Sequence, residues 1–190
     1  MEASDHELLE RYRRGDARAM DVLVDRHAAT VYAFVFRFHG DPTLAEDLTQ
    51  EVWLKVIRHA GSFEGRSRFT TWVYRIARNV CLDHLRHRQR HPDLARSEGD
   101  PFALEELEAG GAPPLERASR KELAAQVADA VASLPERQRE VFLLREQQEL
   151  TFTEIADVLE VPRETVKSRM RYALGHIRRA LRRGEVTRGL

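Results

Sequence analysis

Between Val161 and Tyr172 the chain reads VPRETVKSRMRY, which gathers Arg163, Lys167, Arg169 and Arg171 in one short stretch. Wound as a helix, Arg163, Glu164, Thr165, Lys167, Ser168 and Arg171 project from one exposed side. Guanidinium and ammonium groups in this array suit hydrogen bonds to phosphates and base edges rather than bond-making chemistry. The preceding residues supply a frame: Ile155, Ala156 and Leu159 face inward, Val161 and Val166 plug a corner, and Pro162 pre-sets the next turn. The result is a helix-turn-helix whose second helix fits the major groove of B-DNA.

Two other sets of residues have a helical rhythm. Asp47, Gln50, Glu51 and Leu54 stand at i, i+3, i+4 and i+7, beside an apolar row of Leu44, Leu48 and Val52. This polar-acidic stripe can pair with arginines on a partner helix. Farther along, Arg75, Arg78, Asn79 and Arg86 form a polar stripe opposite Ile76 and Val80. No paired-carboxylate, nucleophile–base or glycine-rich phosphate pattern accompanies them, and AGGAPP (109–114) is too proline-rich to cradle phosphate. An enzyme is not expected. His84, His87 and His91 share a stripe near Cys81, but no second ligand cluster faces them, so neither metal nor cofactor is expected. Cys81, between Val80 and Leu82, reads as a small buried residue.

These stripes need helices to carry them. Ala19, Leu23, Val31, Phe34 and Phe38 define one apolar face, which Gly40 can end, while Asp41 and Pro42 can cap and start the next helix. AGSFEGRSRF is a loop by composition, and a long helix from about Thr70 to His91 should follow, stopped by Pro92, with Trp72, Ile76, Val80 and Leu85 inside. From Asp93 to about Leu115 the chain reads as a flexible acidic linker with room for a short helix at FALEELEA. Helix resumes at Ala118 to Ser133, with Leu123, Val127, Ala130 and Val131 on one side. Ser133 with Glu136, and Thr151 with Glu154, have capping-box spacing. The expected fold is all-α: one small helical domain over 1–92, a linker over 93–118, a second over 119–183, and a tail over 184–190.

The formal charge of the 190-residue chain is zero, yet it is unevenly spread. From Val161 onward nine basic residues meet two acids, a net +7; from Arg66 to Arg90 seven meet one, a net +6. Between them, Asp93 to Glu116 holds seven acids and one arginine, a net −6. Two basic patches around an acidic spacer speak of partners rather than of fold. A single cysteine excludes an intramolecular disulfide and suits a reducing cytoplasm. The acidic, amphipathic start lacks an apolar signal core, and no apolar run approaches the roughly 18 residues of a membrane span. A soluble cytoplasmic protein is expected.

SLPERQREVFLLREQQELTFTEIADVLEVPRETVKSRMRYALGHIRRAL (133–181) resembles region 4 of bacterial RNA polymerase sigma factors. Taken alone, it also resembles the DNA-binding domains of response and quorum-sensing regulators, which would predict a dimer binding its operator without polymerase. The first half decides between them. DLTQEVWLKV (47–56) is similar to region 2.2, which docks on the clamp helices of the polymerase largest subunit, and SFEGRSRFTTWVYRIARNVCLDHLR (62–86) resembles regions 2.3 and 2.4. TWVYRIARN is particularly close to the extracytoplasmic-function class, and the acidic linker stands where region 3 would be. The resemblance spans most of 15–92 and 119–183, both halves in order.

It implies a non-enzymatic initiation subunit with three surfaces. Asp47, Leu48, Gln50, Glu51 and Leu54 would hold core RNA polymerase. Phe63, Arg66, Arg68, Phe69, Arg75, Arg78, Asn79 and Arg86 would take the melted −10 strand, the loop cupping an unstacked base while arginines hold phosphates. Arg163, Glu164, Thr165, Lys167, Ser168, Arg171 and Tyr172 would read the −35 duplex. Primary sigma factors carry paired aromatics where this chain has Trp72-Val73, which implies weak autonomous melting and stringent promoter choice. Trp72 itself leans toward the core. The linker would thread toward the active-site cleft and RNA exit channel, and an anti-sigma factor is the implied regulatory partner.

Overall fold

A computed structural model describes residues 3–90, 114–148 and 150–188, and among these every element is helical. In order they are α1 (Asp5–Arg13), α2 (Ala17–His39), α3 (Pro42–His59), a 3₁₀ turn (Ala60–Ser62), α4 (Phe69–Arg90), α5 (Pro114–Ala132), α6 (Glu136–Gln148), α7 (Phe152–Leu159) and α8 (Arg163–Arg188).

The helix ends follow local chemistry. Ser4 and Glu7 close a capping box at α1, with the S-x-x-E spacing that such a box requires. Gly40 ends α2 in the left-handed conformation at φ 79°, with its N–H on the Phe36 carbonyl. Asp41 then accepts the Leu44 N–H at 3.1 Å, and Pro42 opens α3. The Thr151–Glu154 box forms as expected. The box at Ser133 does not: its hydroxyl donates to the Ala130 carbonyl at 2.8 Å, satisfying the end of α5 rather than the start of α6. Helix α5 begins at Pro114, ahead of the expected Ala118, because proline is well suited to a first helical turn. The proposed short helix at FALEELEA lies outside the described residues.

One apolar core runs through both halves. In the N-terminal half, Leu9, Leu23, Val31, Phe34, Val52, Val56 and Ala77 are buried between α1, α2, α3 and α4. Phe34 meets Tyr74 edge-on, with centroids 5.5 Å apart. Deleting an aromatic ring at such a site costs about 3–5 kcal/mol. In the C-terminal half, Val141, Leu144, Ile155, Val158, Val166 and Ala173 are buried where α6 and α7 lie on α8. Ala130 and Val131 of α5 join this core as expected; Leu123 does not, and is 55% exposed. The halves also pack on each other, α6 on α2 and α7 on α4. No helix among the described residues is long and apolar enough to cross a membrane.

Candidate polymerase and nucleic-acid interfaces

Helix α3 buries Ala45, Leu48, Val52 and Val56 and turns Asp47, Gln50 and Glu51 outward. Leu54 is 51% exposed and Ile57, not singled out above, is 39% exposed. An apolar strip thus lies within an acidic face, a composition that suits a partner helix carrying arginines along an apolar ridge. Glu51 holds Lys55 at 2.8 Å, an exposed i,i+4 pair that is worth little and yields readily to a partner. Leu48 is a correction: at 5% exposure it belongs to the core and leaves no side chain on this face. Its neighbours at the same helical angle, Ala45 and Val52, are buried with it.

The loop before α4 is pinned by α1. Arg13 donates to the Ala60 carbonyl at 2.9 and 2.7 Å and also to the Phe63 carbonyl, fixing where the 3₁₀ turn delivers the chain. The expectation that Phe63 and Phe69 cup a base is corrected in one respect. Both rings are buried, at 5% and 4% exposure, and interlock with half-buried Trp72, whose centroid is 5.2 Å from Phe63 and 6.0 Å from Phe69. Such rings cannot stack on a base without leaving the core. The rim they support carries exposed Glu64, Arg66 and Arg68, with Arg66 paired to Glu64 at 2.8 Å.

Along α4, Arg75, Arg78, Asn79 and Arg86 follow the expected stripe but differ in surroundings. Asn79 and Arg86 are exposed, Arg86 reaching Asp83 at 3.1 Å. Arg75 donates to the Asp157 carbonyl at 2.7 Å, and Arg78 meets the Glu140 carboxylate at 3.0 Å. Arg68 reaches Glu154 at 3.3 Å. All three acceptors belong to the C-terminal half. Glu140 is only 2% exposed; burial pushes its carboxyl pKa up while Arg78 opposes the shift. Partial burial pushes Glu154 the same way, but bonds from Thr151 and Arg68 prevail and hold it below the usual range.

Glu140 is the residue that sequence reasoning missed. It shares a helix face with Leu143 and Leu144, so a charge sits on an apolar row, and that was the available signal. The seam also contains His39 at the end of α2, its ring 5.4 Å from that of His84. Burial above all, then His84, Arg88 and Arg139, holds the His39 pKa down to about 4. Cys81 is fully buried, and burial pushes its thiol up. No cluster of three or more His, Cys, Asp or Glu side chains suited to a metal occurs among the described residues.

Helices α7 and α8 form the expected helix-turn-helix. Glu160 takes the left-handed conformation at φ 55°, and Val161 returns its N–H to the Ala156 carbonyl at 3.1 Å. Val166 is fully buried at the corner while Val161 is partly so; Pro162 precedes α8 and accepts the Thr165 N–H at 2.9 Å. Outward from this corner, Arg163, Glu164, Arg171 and Tyr172 are exposed, and Thr165, Lys167 and Ser168 are partly so. Lys167 pairs with Glu164 at 2.7 Å, and the hydrogen bond pulls the Glu164 carboxyl below its usual range. Arg171 lies over the Tyr172 ring, 5.4 Å from its centroid. Ser168 donates to the Thr165 carbonyl at 2.9 Å, leaving its oxygen able to accept. This array can present donors to a duplex without refolding.

Family comparisons bear on the same surfaces. The model for Sigma-70 region 2 matches residues 23–91, and that for Sigma-70, region 4 matches 130–179. The chain is 38% identical to the RNA polymerase sigma-H factor of Pseudomonas aeruginosa over 93% of both proteins. It is 36% identical to the ECF RNA polymerase sigma-E factor of Escherichia coli over 88% of each. Against the ECF sigma factor SigW of Bacillus subtilis identity is 29%, covering 96% of this chain and 99% of the other. Among solved structures, RpoE in complex with the anti-sigma factor NepR from Bartonella quintana superposes with a TM-score of 0.70 at 22% identity, covering 85% and 96%. CnrH in complex with the cytosolic domain of CnrY gives 0.69 at 22%, covering 94% and 97%. With regions 2 and 4 in order on an all-helical chain, and curated relatives matching nearly end to end, the chain belongs to the extracytoplasmic-function class of RNA polymerase sigma factors.

Proposed function

We propose that this sigma factor carries out promoter-directed initiation through three separate surfaces. The α3 face of Asp47, Gln50, Glu51 and Leu54, extended by Ile57, docks on the clamp helices of the polymerase largest subunit. The loop rim at Arg66 and Arg68, with Arg75, Arg78, Asn79 and Arg86 of α4, holds the melted −10 strand; Phe63 and Phe69 support that rim from the core. The N-terminal half of α8, from Arg163 to Tyr172, reads the −35 duplex. Domain limits at 92 and 119 accompany this division, and the protein works in the cytoplasm. An anti-sigma factor is its regulatory partner, in keeping with the one named in the RpoE–NepR complex.

The observation that carries the reading is the α3 face, with Leu54 half-exposed among outward Asp47, Gln50 and Glu51. A stand-alone helix-turn-helix regulator has no use for it. Co-elution of the chain with core RNA polymerase on a sizing column, beside Asp47→Arg/Glu51→Arg, tests it. Wild type should co-elute and the variant should not, with its helical content unchanged. A variant that still co-elutes would sink the docking assignment.

A further inference from the structure

The loop from Phe63 to Phe69 is anchored at its two ends and unsupported between them. Phe63 and Phe69 lie in the core, whereas residues 64–67 belong to no helix and share in none of the backbone–backbone hydrogen bonds among the described residues. Their support comes from α1. Arg13 commits its whole guanidinium: Nε and one Nη to the Ala60 carbonyl, that same Nη to the Phe63 carbonyl, and the other Nη to Glu10 at 2.6 Å. His6, seven residues earlier and so on the same face of α1, sets its ring 6.5 Å from that of Phe63. It also lies so close over Gly65 that a Cβ there would stand 2.9 Å from its Nε2. We propose that α1 is a splint for the −10 loop, with Arg13 and His6 as positioning residues that hold Glu64 and Arg66 in register for one base. This rests on the assignment of that loop to the melted strand.

Base choice is the property most sensitive to the splint. A pocket reads a flipped base through hydrogen bonds to its edge, and these tolerate a misplacement of only about 0.5 Å. Phosphate contacts from α4 carry no sequence information and do not pass through the loop. Loosening the loop therefore lowers affinity for the favoured base toward that for the others and leaves the remaining strand contacts in place. Helix α1 suits the task because it is itself fixed. Leu8 and Leu9 are buried, and Asp5 holds Arg26 at 2.5 Å and His27 at 2.9 Å on α2. Arginine is the side chain this geometry requires, since its planar fork spans two carbonyls and a carboxylate, whereas a lysine ammonium offers one nitrogen. Were Arg13 a phosphate contact instead, lysine would serve nearly as well. One substitution thus separates the two roles.

The test uses holoenzyme assembled from the full chain and core RNA polymerase. A randomised pool of single-stranded DNA is passed over it, and sequencing of the retained strands gives the favoured base at each position. Fluorescence anisotropy then compares the most enriched strand with one changed at its most selective position, and the ratio of the two affinities measures discrimination. Arg13→Lys and His6→Ala should each lower that ratio at least about fivefold, the changed strand being bound as by wild type. A merely structural role would weaken both strands alike and leave the ratio standing. Arg11→Lys is the matched control on the same helix, its guanidinium going to Asp16 at 3.0 and 2.7 Å, and should keep the wild-type ratio. An unchanged ratio in either variant, equal weakening of both strands, or the same drop in the control would overturn the splint. Glu64→Ala/Arg66→Ala separates the two failures. If wild type shows no favoured base, or its preference survives that change, the loop assignment falls and the splint with it. If the preference collapses there while Arg13→Lys and His6→Ala retain it, the splint alone falls.

Discussion

Helices α4 and α8 are similar in make-up: 22 and 26 residues long, basic on one face, apolar on the other. They differ in where their arginines point. On α4, Arg75 and Arg78 end on protein acceptors across the seam, whereas on α8 Arg163 and Arg171 end in solvent. The cause is the neighbour each face meets. Helix α4 lies under α7, with the Glu140 carboxylate of α6 within reach, while α8 packs its apolar side on α5, α6 and α7 and nothing described covers the other. Two basic helices can therefore hold different reserves of DNA-binding capacity. Charge measures potential contact, and packing decides how much of it is available.

The sharpest way to break this comparison is the same substitution on each helix. Arg78→Ala should cost the packed state up to about 3–5 kcal/mol, because it takes the hydrogen-bonded cation from a buried carboxylate and leaves only the more distant charge of Arg169. That loss is capped by the free energy of docking, since opened halves return Glu140 to water. Arg171→Ala should leave stability within roughly 0.5 kcal/mol. Denaturant titration followed by circular dichroism separates them; equal stability costs would erase the contrast. Duplex affinity should rank the pair in reverse. Lys167→Ala and Arg171→Ala should each lose about 1–3 kcal/mol of −35 binding, with a shallower salt dependence. A fluorescence titration at several salt concentrations checks both.

Acid sharpens the contrast further, because a histidine with a strongly lowered pKa lies at the seam. His39 has a folded pKa of about 4 against the ordinary 6.5, so between those values the unfolded chain binds more protons. Its contribution is complete above about pH 6.5 and declines toward pH 4, by about 2 kcal/mol at pH 5. Glu140, with a raised pKa, runs in the opposite sense, so wild type is compared with His39→Gln to isolate the histidine. The variant should lose less stability between pH 7 and pH 5; identical losses would remove His39 from the seam's energetics. The smallest expected effect is at the turn before α8. Glu160→Gly relieves a left-handed non-glycine residue and should raise stability by about 0.5–1 kcal/mol without altering the α4 seam. Thermal melts would show it.

Much of the architecture was legible because it depends on neighbours in the chain. Gly40-Asp41-Pro42 stops one helix and starts another by backbone geometry and one carboxylate, so its reading needed no tertiary knowledge. The same holds for the Thr151–Glu154 box and for the apolar rhythm that buries Ile155, Leu159 and Val166. Ser133 escaped because two local acceptor arrangements compete for its hydroxyl, and the end of α5 wins. Leu123 escaped for a different reason: helical period places a residue on a face but does not say how far the partner helix extends.

The site divides along the same line. Periodicity alone put Asp47, Gln50 and Glu51 on one face of α3 and Arg163 and Arg171 on one face of α8, because both are properties of a single helix. Only the tertiary structure decided that Leu48, Phe63 and Phe69 are core and that Arg68, Arg75 and Arg78 are engaged by the other half. Those outcomes depend on residues as distant as Glu140 and Asp157, and no local rule reports which buried acceptor a long arginine will find. The sequence by itself determined which surfaces this protein can build; the packing of its halves decided which of them are open.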